Sequence, residues 1–73
     1  MNGWTLERER IARERAQRAQ LEQLALDNGV WDGNLISKDA RDELIALGYA
    51  FKVDGAYNFI TEAGLAALER TTT

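Results

Sequence analysis

The sequence contains no cysteine, no histidine and no proline. Without cysteine and histidine it can form neither a disulfide framework nor a zinc cluster of the usual ligands, and it has no thiolate nucleophile. The usual proton shuttle near neutral pH is missing as well. The remaining carboxylates, hydroxyls, lysines and tyrosines form no recognisable catalytic constellation. We therefore expect a non-catalytic protein with no catalytic residues, metal site, cofactor or small-molecule substrate.

Long apolar runs and sorting signals are also absent. No run approaches the roughly 20 apolar residues that a membrane-spanning helix needs, and no signal or transit peptide is visible. We expect a cytoplasmic protein that does not contact a membrane. A chain of 73 residues has room for one domain, residues 1–73, with one modest core.

Charge is distributed unevenly along the chain, whose net charge is −3. Residues 1–20 hold five arginines and three glutamates, whereas residues 21–73 hold four basic and nine acidic residues. The sequence thus has a mildly basic front and an acidic body.

Residues 5–27 are predicted to form one long helix, because they are rich in alanine, leucine, glutamate, arginine and glutamine. Thr5 is a suitable N-cap, and Asn28-Gly29 supplies the left-handed stop. The last two turns are apolar on both sides, which predicts burial. The first turns carry only a thin, alanine-rich apolar stripe on one side. That stripe consists of Ile11, Ala12, Ala16 and Ala19.

Residues 28–70 form the predicted body, followed by a frayed tail at 71–73. Leu35-Ile36 is a candidate short strand. Ser37 caps a helix over 38–47, whose buried face holds Ala40, Leu44, Ile45 and Leu47, and Gly48 ends it.

The clearest local signal is Asp54-Gly55, the expected two-residue type I′ turn between strands at 49–53 and 56–60. A two-residue turn places Lys52 opposite Tyr57 and Ala50 opposite Phe59. Tyr57 and Phe59 then share one face of the hairpin, and Phe51 lies on the opposite face. A one-sided core could not cover all three rings, so one of them is predicted to mark a contact surface.

The final helix is predicted over 62–70. Thr61 caps it, and Leu65 and Leu68 face inward. Gly64 is a weak helix former, so we expect it to permit close approach of a neighbouring element.

Residues 35–68 resemble the C-terminal half of winged-helix domains. The matching segments are LIALGY at 44–49, the Asp54-Gly55 turn, and YNFITEAGLAAL at 57–68. In that family a helix ends at such a glycine, a β-hairpin wing follows, and a Thr-x-x-Gly helix closes the unit. The resemblance implies an α+β fold in the order α-β-α-β-β-α, here with a long N-terminal helix. It also suggests a phage or prophage origin.

The resemblance implies that the helix at 38–47 would enter the major groove of DNA and that the wing would touch phosphate. Here that helix has a net charge of −1, which is a poor basis for binding a polyanion. Two functions therefore stay open: a regulatory or inhibitory protein-binding module, which the charge balance favours, or a small DNA-binding regulator.

Each function has its own candidate residues. Trp31, between two glycine turns, either covers the hairpin or serves as an exposed aromatic anchor. The candidate partner-binding residues, for a protein partner or for self-association through the N-terminal helix, are Ile11, Ala12, Ala16, Ala19, Trp31, Asp39, Asp42 and Glu43. The candidate nucleic-acid contacts are Arg8, Arg15, Lys38, Arg41 and Lys52.

Overall fold

The computed structural model describes the backbone of residues 3–72 and the side chains of residues 6–70. These residues form three α-helices and three short strands. They are α1 (Gly3–Leu26), β1 (Val30–Trp31), α2 (Lys38–Ala46), β2 (Ala50–Val53), β3 (Tyr57–Ile60) and α3 (Glu62–Thr72), with a 3₁₀ turn at Asp32–Asn34. The predicted tail at 71–73 lies outside the described side chains.

The predicted class is confirmed. The fold is α+β, the element order is α-β-α-β-β-α, and the three strands form an antiparallel sheet in the order β1-β3-β2. This is a small winged-helix-like arrangement with a long N-terminal helix. The 3₁₀ turn at Asp32–Asn34 is all the helical structure that separates β1 from α2.

The position predicted for the first strand is wrong. The strand is Val30–Trp31, which pairs with β3, and not Leu35-Ile36. A valine and a tryptophan favour the pleated backbone. The backbone N–H of Ile36 instead donates to the side chain of Gln23 in α1, so this segment packs beside the helices.

The ends of α2 and the start of α3 follow the sequence signals. Gly48 adopts a φ of 81° directly after the C-cap of α2, the left-handed conformation that ends a helix. Gly29 is also left-handed, with a φ of 91°, but it lies three residues beyond the end of α1. The hydroxyls of Ser37 and Thr61 each accept a hydrogen bond from the backbone N–H three residues later. These are the N-caps predicted for α2 and α3.

The long helix differs from prediction at both ends. It begins at Gly3, so Thr5 lies within the helix and is not its cap. Leu21 and Leu24 are buried, but Leu26 is 85% exposed. The predicted burial of the last two turns on both sides is therefore wrong on the side of Leu26, where no element of the body packs.

The hairpin register is shifted by one residue from the prediction. Asp54 and Gly55 do adopt the positive φ values, 54° and 69°, that a type I′ turn requires. However, Ala56 also belongs to the connection, which therefore has three residues. The observed pairs are Ala50–Ile60, Phe51–Phe59, Lys52–Asn58 and Val53–Tyr57.

The core lies between α1, α2, α3 and one face of the sheet, and its buried side chains are aliphatic. Gly64 permits the predicted close approach, because a Cβ there would overlap the backbone carbonyl of Tyr49. The fully buried hydrophobic residues are Leu21, Leu24, Val30, Ala40, Leu44, Ala50 and Ala67.

Three residues expected in this core are exposed instead. Ile45 and Leu47 of the α2 segment are 37% and 54% exposed, and Leu65 of α3 is 43% exposed. Ala40 and Leu44 already fill the side of α2 that meets the sheet and α1, so Ile45 turns outward. Within the described part of the chain, no helix is both long and apolar enough to span a membrane.

Candidate protein-docking face

One face of the sheet is covered by the helices, and the other carries a row of large apolar side chains. Paired residues in an antiparallel sheet point to the same face, as do residues two apart along a strand. The shifted register therefore places five apolar side chains together on the uncovered side. This outer sheet face consists of Trp31, Phe51, Val53, Tyr57 and Phe59.

These side chains remain accessible to solvent. Trp31, Tyr57 and Phe51 are 52%, 49% and 46% exposed. Since a large aromatic side chain presents about 150–250 Å², the face offers roughly 400 Å² of apolar surface. No aromatic residue in the described part of the chain is fully buried, whereas the core is built from leucine, valine and alanine. The largest apolar patch on a monomer is commonly about 300–600 Å² and is often functional, so this face is the first candidate for a contact surface.

The rings are held flat against the sheet. Phe51 and Phe59 stack with their centroids 5.5 Å apart and their planes 19° from parallel. A Cβ at Gly33 would overlap the Trp31 ring, and a Cβ at Gly29 would come within 2.9 Å of the Phe59 ring. The two glycines thus leave room for the rings to lie against the backbone. The face is pre-organised, which reduces the entropy lost on binding.

A polar cluster on the opposite side of the sheet fixes the strand that carries Trp31. The Asp32 carboxylate accepts hydrogen bonds from Arg41 of α2 (2.8 Å) and from the Asn58 amide of β3 (2.7 Å). Its second oxygen lies 2.9 Å from Nζ of Lys52 in β2. Asn58, which is fully buried, also donates to the Val30 carbonyl. We call Asp32, Arg41, Lys52 and Asn58 the Asp32 cluster.

The electrostatics of the Asp32 cluster favour its charged form. The hydrogen bond from Asn58, followed by those from Lys52 and Arg41, lowers the pKa of Asp32 from 3.8 to about 2. Burial opposes the charge of Arg41, but hydrogen bonds to Asp42 and Asp32 outweigh that effect and raise its pKa. Among the described residues, every buried side-chain nitrogen and oxygen has a hydrogen-bond partner. The cluster is therefore a fully satisfied structural network.

A second polar contact secures the segment between the 3₁₀ turn and α2. The fully buried Gln20 accepts a hydrogen bond from the Ser37 backbone N–H (2.8 Å), and Gln23 donates to the Asn34 carbonyl (2.7 Å). Two α1 side chains therefore replace the hydrogen bonds that a regular element would provide for this segment.

The apolar stripe predicted on α1 is only partly available as a contact surface. Ile11 (44% exposed) and Ala12 are exposed, while Ala16 and Ala19 are half-buried. The side chains of residues 6–15 are all exposed, although Arg13 still reaches Glu43 of α2.

The acidic candidates on α2 take up different positions. Asp39 and Asp42 are exposed, and Asp42 accepts a hydrogen bond from Nε of Arg41. Glu43 is half-buried and forms an ion pair with Arg13 of α1 at 3.6 Å. This ion pair links α1 to α2 at a solvent-exposed position, where its contribution to stability is small.

The nucleic-acid candidates do not form one surface. Arg8, Arg15 and Lys38 are exposed, but Arg41 is only 7% exposed and is held in the Asp32 cluster together with Lys52. The exposed side of α2 thus presents Lys38 beside Asp39 and Asp42.

Other possible sites are small. An open groove of about 190 Å³ lies between α1 and α3, lined by Leu21, Leu44, Tyr49 and Leu68 among others. It is smaller than typical ligand pockets. In the described part of the chain, no three acidic side chains converge in a geometry that could hold a metal ion.

Comparisons with protein-family models, with curated protein sequences and with solved structures found no match.

Sequence reasoning identified Trp31 but missed the other members of the outer sheet face as a group. The sequence signal for this face was the number of residues between the aromatic pair of β3 and Thr61. Ile60 adds one residue between Phe59 and Thr61, which is compatible with a hairpin connection longer than two residues. With Ala56 assigned to that connection, Phe51 moves to the face of Tyr57 and Phe59.

Proposed function

We propose that this protein is a non-catalytic protein-binding module, regulatory or inhibitory in role, that docks a partner protein on its outer sheet face. The observation that supports the proposal most strongly is the exposed, flat row of Trp31, Phe51, Val53, Tyr57 and Phe59. Tryptophan and tyrosine are enriched among the residues that dominate binding energy. Leucine, valine and alanine fill the buried core, whereas Trp31, Phe51 and Tyr57 stay about half exposed, and an exposed cluster of large apolar side chains is an informative exception.

The geometry gives less support to DNA binding. Of the three cations that the winged-helix resemblance points to, Arg41 and Lys52 neutralise Asp32. Lys38 is exposed but lies beside Asp39 and Asp42. Phosphate contacts supply most of the non-specific affinity for DNA. The exposed arginines Arg8 and Arg15 interleave with glutamates on α1, which is typical of a solvated helix.

The proposal is tested by capture from a lysate of the source organism. Immobilised protein is compared with Tyr57→Thr, which removes the ring at the centre of the outer sheet face, and with Ile36→Thr. Ile36 is 60% exposed and lies beside α1, so it provides a matched loss of apolar surface elsewhere. Threonine is well tolerated in strands. We expect a specific protein to bind the unchanged chain and Ile36→Thr, and to be lost with Tyr57→Thr.

Two results would oppose the proposal. Equal capture by all three proteins would show that the outer sheet face is not the contact. Salt-sensitive binding to duplex DNA that Arg8→Ala and Arg15→Ala weaken would instead support the regulator function. The cytoplasmic location and the phage or prophage origin remain predictions from the sequence, and the outer sheet face supports the binding role alone.

A further inference from the structure

We infer that the occupant of the outer sheet face is a single amphipathic helix of a partner protein, with basic residues flanking its apolar stripe. This inference rests on the proposed function and specifies the chemistry of the partner. Two features of the outer sheet face support it: its width and the charges that border it.

The width of the sheet matches one helix. With β3 in the centre and neighbouring strands about 4.8 Å apart, β1 and β2 are roughly 10 Å apart. A helix with its side chains is about 10–12 Å in diameter, so one helix would cover all three strands. The inner face is already covered by helices, and a helix on the outer face would cover the apolar side chains that the chain's own helices leave exposed.

The unneutralised charges in the chain segments that form the sheet and its connections are acidic. In the segments that form the sheet and its connections, residues 27–33 and 49–62, the charged residues are Asp27, Asp32, Lys52, Asp54 and Glu62. Lys52 and Asp32 neutralise each other on the inner side of the sheet. Asp27, Asp54 and Glu62 are exposed and have no cation beside them in these two segments. A basic partner would complement these acids, whereas a second copy of the same face would bring like charges together.

The test uses two synthetic helical peptides of about 18 residues, long enough to cross the sheet at 1.5 Å per residue. One carries a leucine stripe flanked by lysines, and the other carries the same stripe flanked by glutamates. Binding is followed by Trp31 fluorescence in a Trp4→Phe background. We expect the leucine–lysine peptide to bind and the leucine–glutamate peptide not to bind. Tyr57→Thr should weaken the binding by about tenfold or more, as expected for a central anchor, and Ile36→Thr should leave it unchanged.

The charge component has its own variants. The double variant Asp27→Asn and Asp54→Asn removes two of the bordering charges, and asparagine tolerates the positive φ at position 54. It should weaken binding of the leucine–lysine peptide several-fold and reduce its salt dependence. Asp39→Asn removes an exposed carboxylate from α2 and should have no effect.

Three results would overturn the inference. The first is equal binding of both peptides, and the second is no binding of the lysine peptide. The third is a homodimer, seen by sedimentation, that Tyr57→Thr dissociates, because a second copy would then be the occupant. If either peptide result overturned the inference, lysate capture that Tyr57→Thr abolishes would still support the proposed function. Peptide binding that Tyr57→Thr does not affect would remove both proposals.

Discussion

At the scale of single residues, Asp32 determines where the most exposed aromatic side chain of the outer sheet face lies. It follows Trp31 directly, and it is held from three directions by α2, β2 and β3 through Arg41, Lys52 and Asn58. The backbone N–H of Asp32 also donates to the Ala56 carbonyl at 2.9 Å. Because β1 has only two residues, its own ladder could not hold Trp31 in place. The Asp32 cluster holds β1 from the inner side of the sheet, and the Trp31 ring stays exposed on the outer side.

The lowered pKa of Asp32 predicts a specific loss of stability in acid. The folded state holds the carboxylate at a pKa of about 2, below its ordinary value of 3.8. The resulting stabilisation is fully present above about pH 5 and is lost as the pH falls through about 4 to 2. We expect the free energy of unfolding, measured by urea titration, to decline over this range. In Asp32→Asn the decline should be smaller, and stability at pH 7 should be lower. If the free energy of unfolding declined equally with falling pH in the two proteins, Asp32 would not have this role.

None of these long-range polar contacts could be predicted from the sequence. Arg41 meets partners 9 and 17 residues away, and Asn58 meets Asp32 across 26 residues. Helix-capping signals act within three or four residues, so Ser37 and Thr61 were recognised correctly. Arg41 instead looks like an ordinary exposed helix residue until the fold brings the strands beneath it.

At the scale of elements, the hairpin connection decides which face each ring occupies. The Asp54-Gly55 turn was predicted correctly, including both positive φ values. The extra residue Ala56 changed the register by one, and such a slip moves a side chain to the other face of the sheet. The inner face then receives Ala50, Lys52 and Asn58, and the outer face receives the aromatic rings. Local propensity identifies the turn, but the register also depends on packing against α1 and α3.

The stacked pair across the hairpin predicts a measurable cost. Phe51→Thr removes the stack with Phe59, and an aromatic pair contributes about 0.5–1.5 kcal/mol beyond its buried area. We expect the free energy of unfolding, from urea denaturation, to fall by about 1 kcal/mol. Ile36→Thr, with its side chain more exposed than that of Phe51, should change it by less than about 0.5 kcal/mol. Equal effects of the two substitutions would mean that the stack does not stabilise the hairpin.

At the scale of the whole molecule, the chain exposes more surface than a folded protein of its mass usually does. Its accessible surface is 5114 Å², compared with about 4500 Å² expected for a folded protein of this mass. Part of the excess comes from the front half of α1, whose side chains from 6 to 15 are all exposed. The outer sheet face contributes the largest aromatic surface. A partner docked on the outer sheet face would bury part of this excess surface.

The overall class and the order of elements were predictable because each element carries its own local signals. The outer sheet face was not predictable in this way, because its exposure depends on which side of the sheet the three helices occupy. The sequence showed an aromatic excess in the hairpin, but a two-residue turn placed Phe51 on the face opposite Tyr57 and Phe59, and the structure places all three rings on one face.

The central claim is that the outer sheet face is open in the free protein and covered by a partner. Hydroxyl-radical footprinting measures this directly, by comparing side-chain labelling in dilute purified protein with labelling of the same protein in a lysate of the source organism. We predict strong labelling of Trp31, Phe51 and Tyr57 in the purified protein and protection of all three in the lysate, with Ile36 labelled equally in both. Labelling of the three rings that is unchanged in the lysate, or protection shared equally by Ile36, would contradict the claim.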